Sequence, residues 1–321
     1  MDLTRKRILV TGGGGFLGTH LLRRLQRLGC DEICAPGRRE VDLTERTAVA
    51  RLLDERQPQV VFHLAARVGG IGANRRQPGT FLYENLVMGV ELIEAARRAA
   101  VEKTVLVGTV CSYPKRTPVP FREEALWDGY PEETNAPYGL AKKLLIVQLA
   151  AYRQQFGFLG VSPLLVNLYG NGDNFDPRTS HVIPALIVRF ESARRRGSRS
   201  VTVWGTGQAT REFLYVEDAA RALVLAAERL DSPEPVNVGS GQEISIADLA
   251  ALVARTIGYR GRIRFDPSKP DGQPRRRLDT SRAAERMGFH ARVRLAEGLE
   301  RTVAWYRSLG RSPASARSAV A

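Results

Sequence analysis

The sequence predicts an α/β fold: a doubly wound parallel sheet covered by helices, followed by a smaller C-terminal α/β domain. Short strand-like runs alternate with longer helical runs over the first 170 residues. This alternation is typical of a parallel sheet with helices on both faces. After Gly170 the alternation gives way to longer loops and a different order of elements. The 321 residues, 43% of them hydrophobic, suffice for one large core or two smaller ones.

The chain starts with a strand, a glycine turn and an amphipathic helix in "KRILVTGGGGFLGTHLLRRLQRLGC". The strand is a short run of β-branched residues and leucine, and leucines recur at helical spacing from Leu17 to Leu28. Gly29 is a suitable residue to end the helix. The next elements are a strand in "EICAPG", a helix in "TERTAVARLLDERQPQ", a buried strand in "VVFHLAA", a helix in "NLVMGVELIEAARRAAV", a strand in "KTVLVGTVCSYP", a long helix in "YGLAKKLLIVQLAAYRQQFG" and a strand in "VSPLLVNLYG".

The residues after Gly170 predict a second set of elements. They are a loop and a helix in "NGDNFDPRTSHVIPALIVRFESARRR", a strand, a turn, a strand and a helix in "SVTVWGTGQATREFLYVEDAARALVLAAERL", and a short strand and a helix in "PVNVGSGQEISIADLAALVARTIG". The tail "SLGRSPASARSAVA" is rich in serine, alanine and arginine, so we expect it to fray.

Composition excludes several classes of protein. No run approaches the eighteen apolar residues of a membrane span, and the N-terminus reads as a first strand, not as a signal peptide. The three cysteines, Cys30, Cys34 and Cys111, match no metal or disulfide spacing, so we predict no metal and a reducing, cytoplasmic setting. The net charge of +14 is spread along the chain without interleaved aromatics, which argues against nucleic-acid binding.

Three glycines in the first turn point to a dinucleotide. Gly12, Gly15 and Gly18 have the spacing G-x-x-G-x-x-G between a predicted strand and a predicted helix. Small residues let the backbone approach a pyrophosphate, and the helix N-terminus supplies N–H donors and partial positive charge. A glycine run alone also makes plain turns. The strand and helix on either side favour a Rossmann-type dinucleotide site over a bare turn.

The end of the second strand indicates which dinucleotide binds. An acidic residue there would hold a ribose hydroxyl, whereas an arginine favours the 2′-phosphate of NADP. The chain reads "APGRREVD", in which Arg38 and Arg39 come first and Asp42 follows later. The sequence therefore predicts NADP(H) as the cofactor, with Arg38 as a ligand of the 2′-phosphate.

Tyr138 and Lys142 open the long helix four residues apart. Side chains at this spacing share one helix face. An ammonium near a phenol stabilises the phenolate, so we expect Lys142 to lower the pKa of Tyr138. Such a tyrosine donates a proton to a ketone oxygen while a nicotinamide delivers hydride. The pair also occurs by chance on helix surfaces, but behind a dinucleotide fold it predicts a dehydrogenase site.

With these motifs in place, the chain resembles the extended short-chain dehydrogenase/reductases, and within them the GDP-L-fucose synthase family. Members of that family are GDP-4-keto-6-deoxymannose 3,5-epimerase/4-reductases. The resemblance covers roughly residues 5–310. It rests on "LAARVGGIGAN", "CSYP", "NAPYGLAK", "NLYGNGDNFDPRTSHVIPALIVRF", "VWGTGQATREFLYVED" and "DGQPRRRLD". A run as long as "DNFDPRTSHVIPALI" is hard to reach by chance.

The resemblance implies catalytic roles for five residues. Tyr138 would be the acid for the C4 ketone, and Lys142 would bind the nicotinamide ribose and tune Tyr138. Thr109 stands where a hydroxyl hydrogen-bonds the C4 oxygen. Cys111 and His181 would exchange the protons at C3 and C5, which the 4-keto group makes acidic.

The resemblance also implies binding residues on both sides of the site. The cofactor set is Gly12, Gly15, Phe16, Leu17, Gly18, Arg38, Leu64, Ala65, Ala66, Lys142, Asn167 and Leu168. The GDP-sugar set is Arg189, Trp204, Arg211, Asp271 and Arg276. Arginines suit a diphosphate because they pair with it bidentately.

Two departures from the family pattern leave the substrate open. The family has Ser-Ser-Cys where this chain has Thr109-Val110-Cys111. Thr109 keeps the first hydroxyl but adds a methyl group beside the sugar, and Val110 removes the second hydroxyl. The four-glycine run lacks a basic residue that some relatives place there for the 2′-phosphate. Besides the GDP-4-keto-6-deoxyhexose epimerase/reductase, a C4 reductase, a heptose enzyme, a non-redox pyranose/furanose mutase and a non-catalytic nucleotide- or RNA-binding module stay open.

The expected architecture has two domains and a cleft between them. Residues 1–170 plus about 208–230 would form the NADP-binding Rossmann domain, and about 171–207 plus 231–321 the GDP-sugar-binding domain. By resemblance, helices near 85–100 and 138–156 would pair two subunits into a homodimer.

Overall fold

The computed structural model describes residues 1–310, apart from the side chain of Ile71. Strands and helices alternate as expected through the first half of the chain. The strands are β1 (Ile8–Thr11), β2 (Ile33–Cys34), β3 (Val60–His63), β4 (Lys103–Leu106), β5 (Gly108–Thr109), β6 (Gly160–Val161), β7 (Pro163–Leu165), β8 (Asn167–Tyr169), β9 (Ser200–Trp204), β10 (Thr210–Tyr215), β11 (Val236–Val238), β12 (Glu243–Ser245) and β13 (Arg262–Asp266). The helices are α1 (Phe16–Arg27), α2 (Arg46–Arg56), α3 (Ile71–Arg76), α4 (Pro78–Arg98), α5 (Ala136–Phe156), α6 (Val182–Arg195), α7 (Val216–Arg229), α8 (Ile246–Ile257), α9 (Ser281–Met287) and α10 (Leu295–Ser308).

A parallel sheet forms the centre of the larger part. Its order is β2-β1-β3-β4-β6, and each pairing is parallel. The strand β5 continues β4, and β7 continues β6. The pairing of β5 with β7 keeps the register of the pairing of β4 with β6, because paired residues are separated by the same number of positions in both. At the far edge β11 pairs with β7, also in parallel. The sheet therefore reverses its winding between β1 and β3, where a doubly wound sheet binds its ligand.

Helices bury the faces of this sheet. The helix α1 packs against α7, and α4 packs against α2 and α5. The central strands have fully buried residues on both faces, as "VVFH" in β3 shows, because a parallel sheet has no solvated side. This arrangement confirms the predicted doubly wound α/β fold.

A second hydrophobic core lies in the C-terminal half. It combines α6, α8 and α10 with β9 and β10, and its members include Phe190, Val253 and Tyr306. Here β8 and β12 flank β10, and β13 pairs with β9. The two cores meet at β10, since Leu214 belongs to the first and Phe213 to the second.

The packing differs in one respect from the expected domain limits. Those limits put residues 231–321 in the second unit, yet β11 joins the large sheet and α9 packs in the first core. The strand β11 returns to the large sheet by pairing with β7, because the edge strand β7 has unpaired backbone N–H and C=O groups. Residues 311–321, also assigned to that unit, lie outside the described residues.

Within residues 1–310, each helix is too short or too polar to cross a lipid bilayer.

Candidate active site

The glycine turn forms a cradle that has no room for side chains. Gly12 has a φ of +73°, and a Cβ there would lie 2.6 Å from the backbone N of Ala65. A Cβ on Gly18 would lie 2.2 Å from the carbonyl oxygen of Gly12. The helix α1 begins directly after Gly15 without a side-chain cap, so its first N–H groups point into the turn. The cradle therefore fits a dinucleotide pyrophosphate.

The segment after β3 closes the other side of this cradle. The residues Leu64, Ala65 and Ala66 follow β3, and the Leu64 N–H donates to the carbonyl of Thr11 at 3.1 Å. The predicted cofactor residues of the two strand ends therefore lie side by side. They sit where the sheet reverses its winding, which is where open α/β sheets bind nucleotides.

Arg38 lies in the turn that follows β2. It lines a cavity of about 420 Å³ together with Thr44, Thr80 and Tyr83. Its guanidinium is mostly exposed and lies 3.8 Å from the carboxylate of Glu84. That carboxylate also pairs with another arginine, so it leaves the Arg38 charge only partly neutralised. An exposed guanidinium beside a cavity of this size can accept a phosphate.

A close contact between two elements brings Thr109, Cys111 and Tyr138 together. Thr109 ends β5, and its Oγ1 accepts the N–H of Cys111 at 3.2 Å. The short turn that follows packs on the first turns of α5, where the Ser112 hydroxyl donates to the Gly139 carbonyl at 2.9 Å. A Cβ on Gly139 would lie 2.3 Å from the carbonyl oxygen of Cys111. Only glycine therefore allows this approach.

The pKa of Tyr138 corrects one expectation. Burial raises this pKa above its usual value, and the nearby Cys111 thiol raises it further. A hydrogen bond with the Thr109 side chain opposes the rise. The expected lowering by Lys142 does not occur: desolvation of the phenol dominates, and Lys142 does not contribute to the shift of this pKa. The raised pKa keeps Tyr138 protonated near neutral pH, which is the state a proton donor needs.

Lys142 is the most deeply buried of the predicted catalytic residues. Its side chain is 2% exposed, and burial lowers the pKa of its ammonium to about 8. Within the described residues, its ammonium makes no hydrogen bond or ion pair to protein. A buried ammonium without a partner is costly. It is therefore available to hydroxyl groups of a bound ligand.

His181 stands at the start of α6. Its carbonyl accepts the N–H of Ala185 at 3.1 Å. The side chain is exposed to solvent, yet protein atoms crowd around it so that desolvation lowers its pKa. The neutral imidazole therefore dominates at neutral pH, and it can accept a proton. The structure records no direct contact between this ring and Cys111 or Tyr138.

Two arginines surround the Cys111 thiol. The Nη1 of Arg276 donates to Sγ of Cys111 at 3.7 Å. Arg211 donates to the carbonyls of Thr210 and Gln273 at 2.7 and 2.6 Å. Burial, together with the neighbouring Arg276 charge, lowers the pKa of Arg211 to about 10. The site is therefore positively charged and suited to an anion.

The remaining predicted substrate residues extend this surface outward. Arg189 lies over the ring of Trp204, 5.2 Å from its centroid, and Trp204 is 60% exposed. The carboxylate of Asp271 accepts the N–H and hydroxyl of Thr206 at 2.8 and 2.7 Å. The carbonyl of Asp271 accepts from Arg211 at 2.9 Å. The Asp271 side chain thus fixes the loop after β9, and the exposed tryptophan offers a face for a ring.

Asn167 and Leu168 lie in β8 beside β10. The Asn167 amide donates to the carbonyl of Glu212 at 2.9 Å, and Leu168 pairs with Leu214. These contacts fix β8 against β10, and the cofactor-lining role of Asn167 and Leu168 stays a prediction.

Three buried polar residues were not singled out from the sequence. Gln273 lies inside "DGQPRRRLD", and it contacts Arg276. His63 ends β3 and bonds the Thr11 hydroxyl at 2.8 Å through Nδ1, while its Nε2 has no protein partner. Asp173 is buried with Oδ2 unpartnered, and burial raises its pKa to about 7. Periodicity gives no signal for such residues, because only their neighbours in space distinguish them.

The chain is similar to known proteins over most of its length. The model of the NAD dependent epimerase/dehydratase family matches residues 8–239. The chain is 42% identical to GDP-L-fucose synthase of Sinorhizobium fredii (strain NBRC 101917 / NGR234), over 94% of this chain and 95% of that one.

Two solved structures extend the comparison. A GDP-6-OMe-4-keto-L-xylo-heptose reductase from C. jejuni superposes with a TM-score of 0.90 at 28% identity, covering 95% of this chain and 99% of that one. A GDP-L-fucose synthetase from Naegleria fowleri bound to NADP superposes with a TM-score of 0.85 at 27% identity, covering 94% of each.

Proposed function

The chain belongs to the NAD dependent epimerase/dehydratase family, and on that premise we propose that it is an NADP-dependent epimerase/reductase acting on a GDP-4-keto-6-deoxyhexose. The observation that carries this proposal is the meeting of Thr109, Cys111 and Tyr138 beside the glycine cradle. The names of the similar proteins support the GDP-sugar, since both solved structures and the curated relative act on one.

The residues divide the chemistry between epimerisation and reduction. The Cys111 thiolate removes a proton from C3 or C5 of the sugar, and the electron pair moves to the C4 oxygen as an enolate. His181 exchanges protons with the same carbons. Thr109 hydrogen-bonds the C4 oxygen in both halves of the reaction.

Reduction then uses the protonated Tyr138. The nicotinamide, when bound, supplies hydride to C4. Tyr138 donates its proton to the C4 oxygen, which its raised pKa permits because the phenol is not ionised beforehand. Lys142 would hold the nicotinamide ribose through its buried ammonium.

We propose NADP(H) as the cofactor because of Arg38. Its exposed guanidinium, in the turn after β2, lines a cavity of about 420 Å³. A 2′-phosphate placed there would pair with it. The carboxylate that lines the same cavity, Glu84, already pairs with Arg67 and Arg38. The NADP-bound relative is consistent with this choice.

The proposed assembly is a cytoplasmic homodimer of two-domain subunits. The thiol of Cys111 has to stay reduced to act, which suits the cytoplasm. We keep the division near 170, but assign β11 and α9 to the NADP-binding domain because they pack in its core. The helices α4 and α5 are the proposed dimer contact.

The central test is reduction of GDP-4-keto-6-deoxymannose by NADPH, followed at 340 nm. We expect rapid oxidation by the wild type and a fucose-type product. The Tyr138→Phe variant should lose about 10²–10⁴-fold in rate, since it lacks the proton donor. Its NADPH affinity, measured by fluorescence titration, should change little.

Undiminished turnover in Tyr138→Phe would contradict the assignment of Tyr138. If the wild type rearranges a GDP-hexose without consuming nicotinamide, the chain is a mutase and the reductase proposal fails. Tight, salt-sensitive RNA binding with neither activity would favour the non-catalytic alternative.

A plain C4 reductase is the second candidate. The high TM-score with a heptose reductase favours it, as does the Thr109-Val110 replacement beside the sugar. Such an enzyme would consume NADPH without exchanging the C3 and C5 protons. Proton NMR in D₂O separates the two, because only the epimerase incorporates deuterium at those carbons.

A further inference from the structure

The Arg276 side chain is fixed by contacts within the protein, beyond what a residue that only binds substrate requires. Its side chain is 6% exposed, inside the fold instead of on the open surface. Nε and Nη2 both donate to Oε1 of Gln273, at 3.1 and 2.9 Å, and Nη1 donates to Sγ of Cys111 at 3.7 Å. Three of the five guanidinium N–H groups are therefore used before any ligand arrives.

Gln273 is itself fixed on the other side. Its side chain is 4% exposed, and its Nε2 donates to the carbonyls of Pro114 and Lys115 at 3.3 and 3.0 Å. Those carbonyls belong to the segment that follows Cys111. A closed circuit thus runs from Cys111 along the chain to Lys115, across to Gln273, and through Arg276 back to the thiol.

Two cationic side chains lie around the Cys111 sulfur. Arg276 touches the sulfur, Arg211 lies close enough to interact with both of them, and Tyr138 is neutral. The acidic groups Asp271 and Glu132 also act on Arg211, more weakly than Arg276 does. No carboxylate of the described chain forms an ion pair with Arg276. A hydrogen bond from a guanidinium to an ionised acceptor is stronger than one to a neutral acceptor.

We propose that Arg276, fixed by Gln273, is a positioning residue for Cys111: it orients the thiol toward the sugar and stabilises its thiolate. This inference rests on the proposed function and changes the role that the sequence suggested for Arg276. The thiolate takes the proton from C3 or C5, the C–H electron pair moves to the C4 oxygen, and Arg276 loses its anionic partner in that step. The electron pair then returns from the C4 oxygen to the carbon, which takes a proton from the protonated form of His181. Solvent removes the proton left on Cys111 and reprotonates His181.

Alkylation of the ligand-free protein tests the contact directly. Iodoacetamide labelling of Cys111 at pH 7.5 is followed by peptide mass spectrometry, with Cys30 and Cys34 as internal references. We expect Arg276→Gln to slow labelling of Cys111 at least about tenfold, because the thiolate loses its donor. Arg276→Lys should restore part of the rate. Arg275→Gln is the matched control, since Arg275 pairs with Glu243 at the surface, and should leave the rate unchanged.

Gln273→Met keeps Arg276 but removes its anchor, so it guards against misfolding of the arginine variants. It should slow labelling less than Arg276→Gln does. Unchanged labelling in both variants would overturn the proposal.

Two further measurements separate positioning from substrate binding. Deuterium incorporation at C3 and C5, measured in D₂O without NADPH, should fall at least about tenfold in Arg276→Gln. The dissociation constant for GDP should change less than about threefold. Weakened GDP binding with normal exchange would overturn the proposal in favour of a diphosphate contact. If the wild type shows neither exchange nor NADPH oxidation, the proposed function fails, but the labelling comparison still decides the role of Arg276.

Discussion

At the scale of the residue, Lys142 shows a conflict between stability and function. An ammonium that is 2% exposed and lacks a protein partner destabilises the folded state. The lowering of its pKa from 10.5 to about 8 measures that cost. Such a residue is retained because a ligand supplies what the protein does not. The same logic applies to the unpartnered Nε2 of His63 nearby.

We predict that Lys142→Met is inactive but more stable than the wild type at pH 7. The gain should be about 3 kcal/mol, since each unit of pKa shift corresponds to roughly 1.4 kcal/mol. Below pH 8 the lysine is protonated in both states, so the full cost of burying the charge is present. Between pH 8 and 10.5 the unfolded state binds more protons, so the wild type gains stability as pH rises and the difference between the proteins vanishes. Urea unfolding at pH 7 and pH 10.5 measures both values.

The exposed Lys269→Met is the control for this comparison, because its ammonium stays in water. It should change the free energy of unfolding little at either pH. A Lys142→Met protein that is less stable at pH 7 would show that the ammonium has a partner the geometry does not reveal.

At the scale of the element, the active site depends on one helix packing against one strand end. The strand formed by β4 and β5 delivers Thr109 and Cys111, and α5 delivers Tyr138 and Lys142. The two backbones meet at Gly139, where an added Cβ would lie only 2.3 Å from the carbonyl oxygen of Cys111. A small displacement here moves the thiol and the hydroxyl away from the phenol. Misplacement by about 1 Å can cost two orders of magnitude in rate.

We predict that Gly139→Ala reduces turnover at least about tenfold, and that Gly139→Val reduces it further. The added carbon would press on the backbone of Cys111, which cannot yield as a side chain would. Alanine stabilises a helix by about 1 kcal/mol relative to glycine, which offsets part of the steric cost. We therefore expect the variant to lose activity while its unfolding temperature changes little. Steady-state NADPH oxidation and thermal unfolding are the two measurements. Full activity in both variants would contradict the prediction, because it would show that catalysis does not require the close contact between Gly139 and the Cys111 backbone.

At the scale of the whole molecule, an uncovered apolar surface runs over two packed helices. Exposed side chains include Tyr83 and Val90 on α4 and Leu144 and Val147 on α5, and the two helices pack against each other. Contiguous apolar patches on a protein surface mark association sites. This surface supports the proposed homodimer. The prediction that the net charge of +14 does not serve nucleic acid stays a prediction.

We predict that Val90→Glu combined with Val147→Glu yields a monomer in sedimentation velocity at concentrations where the wild type is dimeric. In a twofold interface each introduced carboxylate lies on both subunits, so negative charges face one another across the contact and repel. Leu28→Glu is the control, since Leu28 is exposed at the end of α1, away from these helices. It should leave the wild-type mass unchanged. A wild type that is already monomeric would contradict the proposed assembly.

The sequence by itself determined the fold class and most of the candidate residues. The parallel sheet follows from the alternation of strands and helices, because an apolar run of four to eight residues must be buried on both sides. Gly12, Gly15 and Gly18 are recognisable because their spacing and the predicted strand and helix on either side can all be read along the chain. Tyr138 and Lys142 are recognisable since helix geometry puts i and i+4 on one face.

Only the tertiary structure decided which charges meet. The pKa of Tyr138 rises because the phenol is buried, although a lysine follows it on the same helix. The circuit of Cys111, Gln273 and Arg276 joins residues more than 160 positions apart. The return of β11 to the large sheet is likewise a long-range pairing. Desolvation and contact depend on three-dimensional neighbours, and a pattern along one chain does not record them.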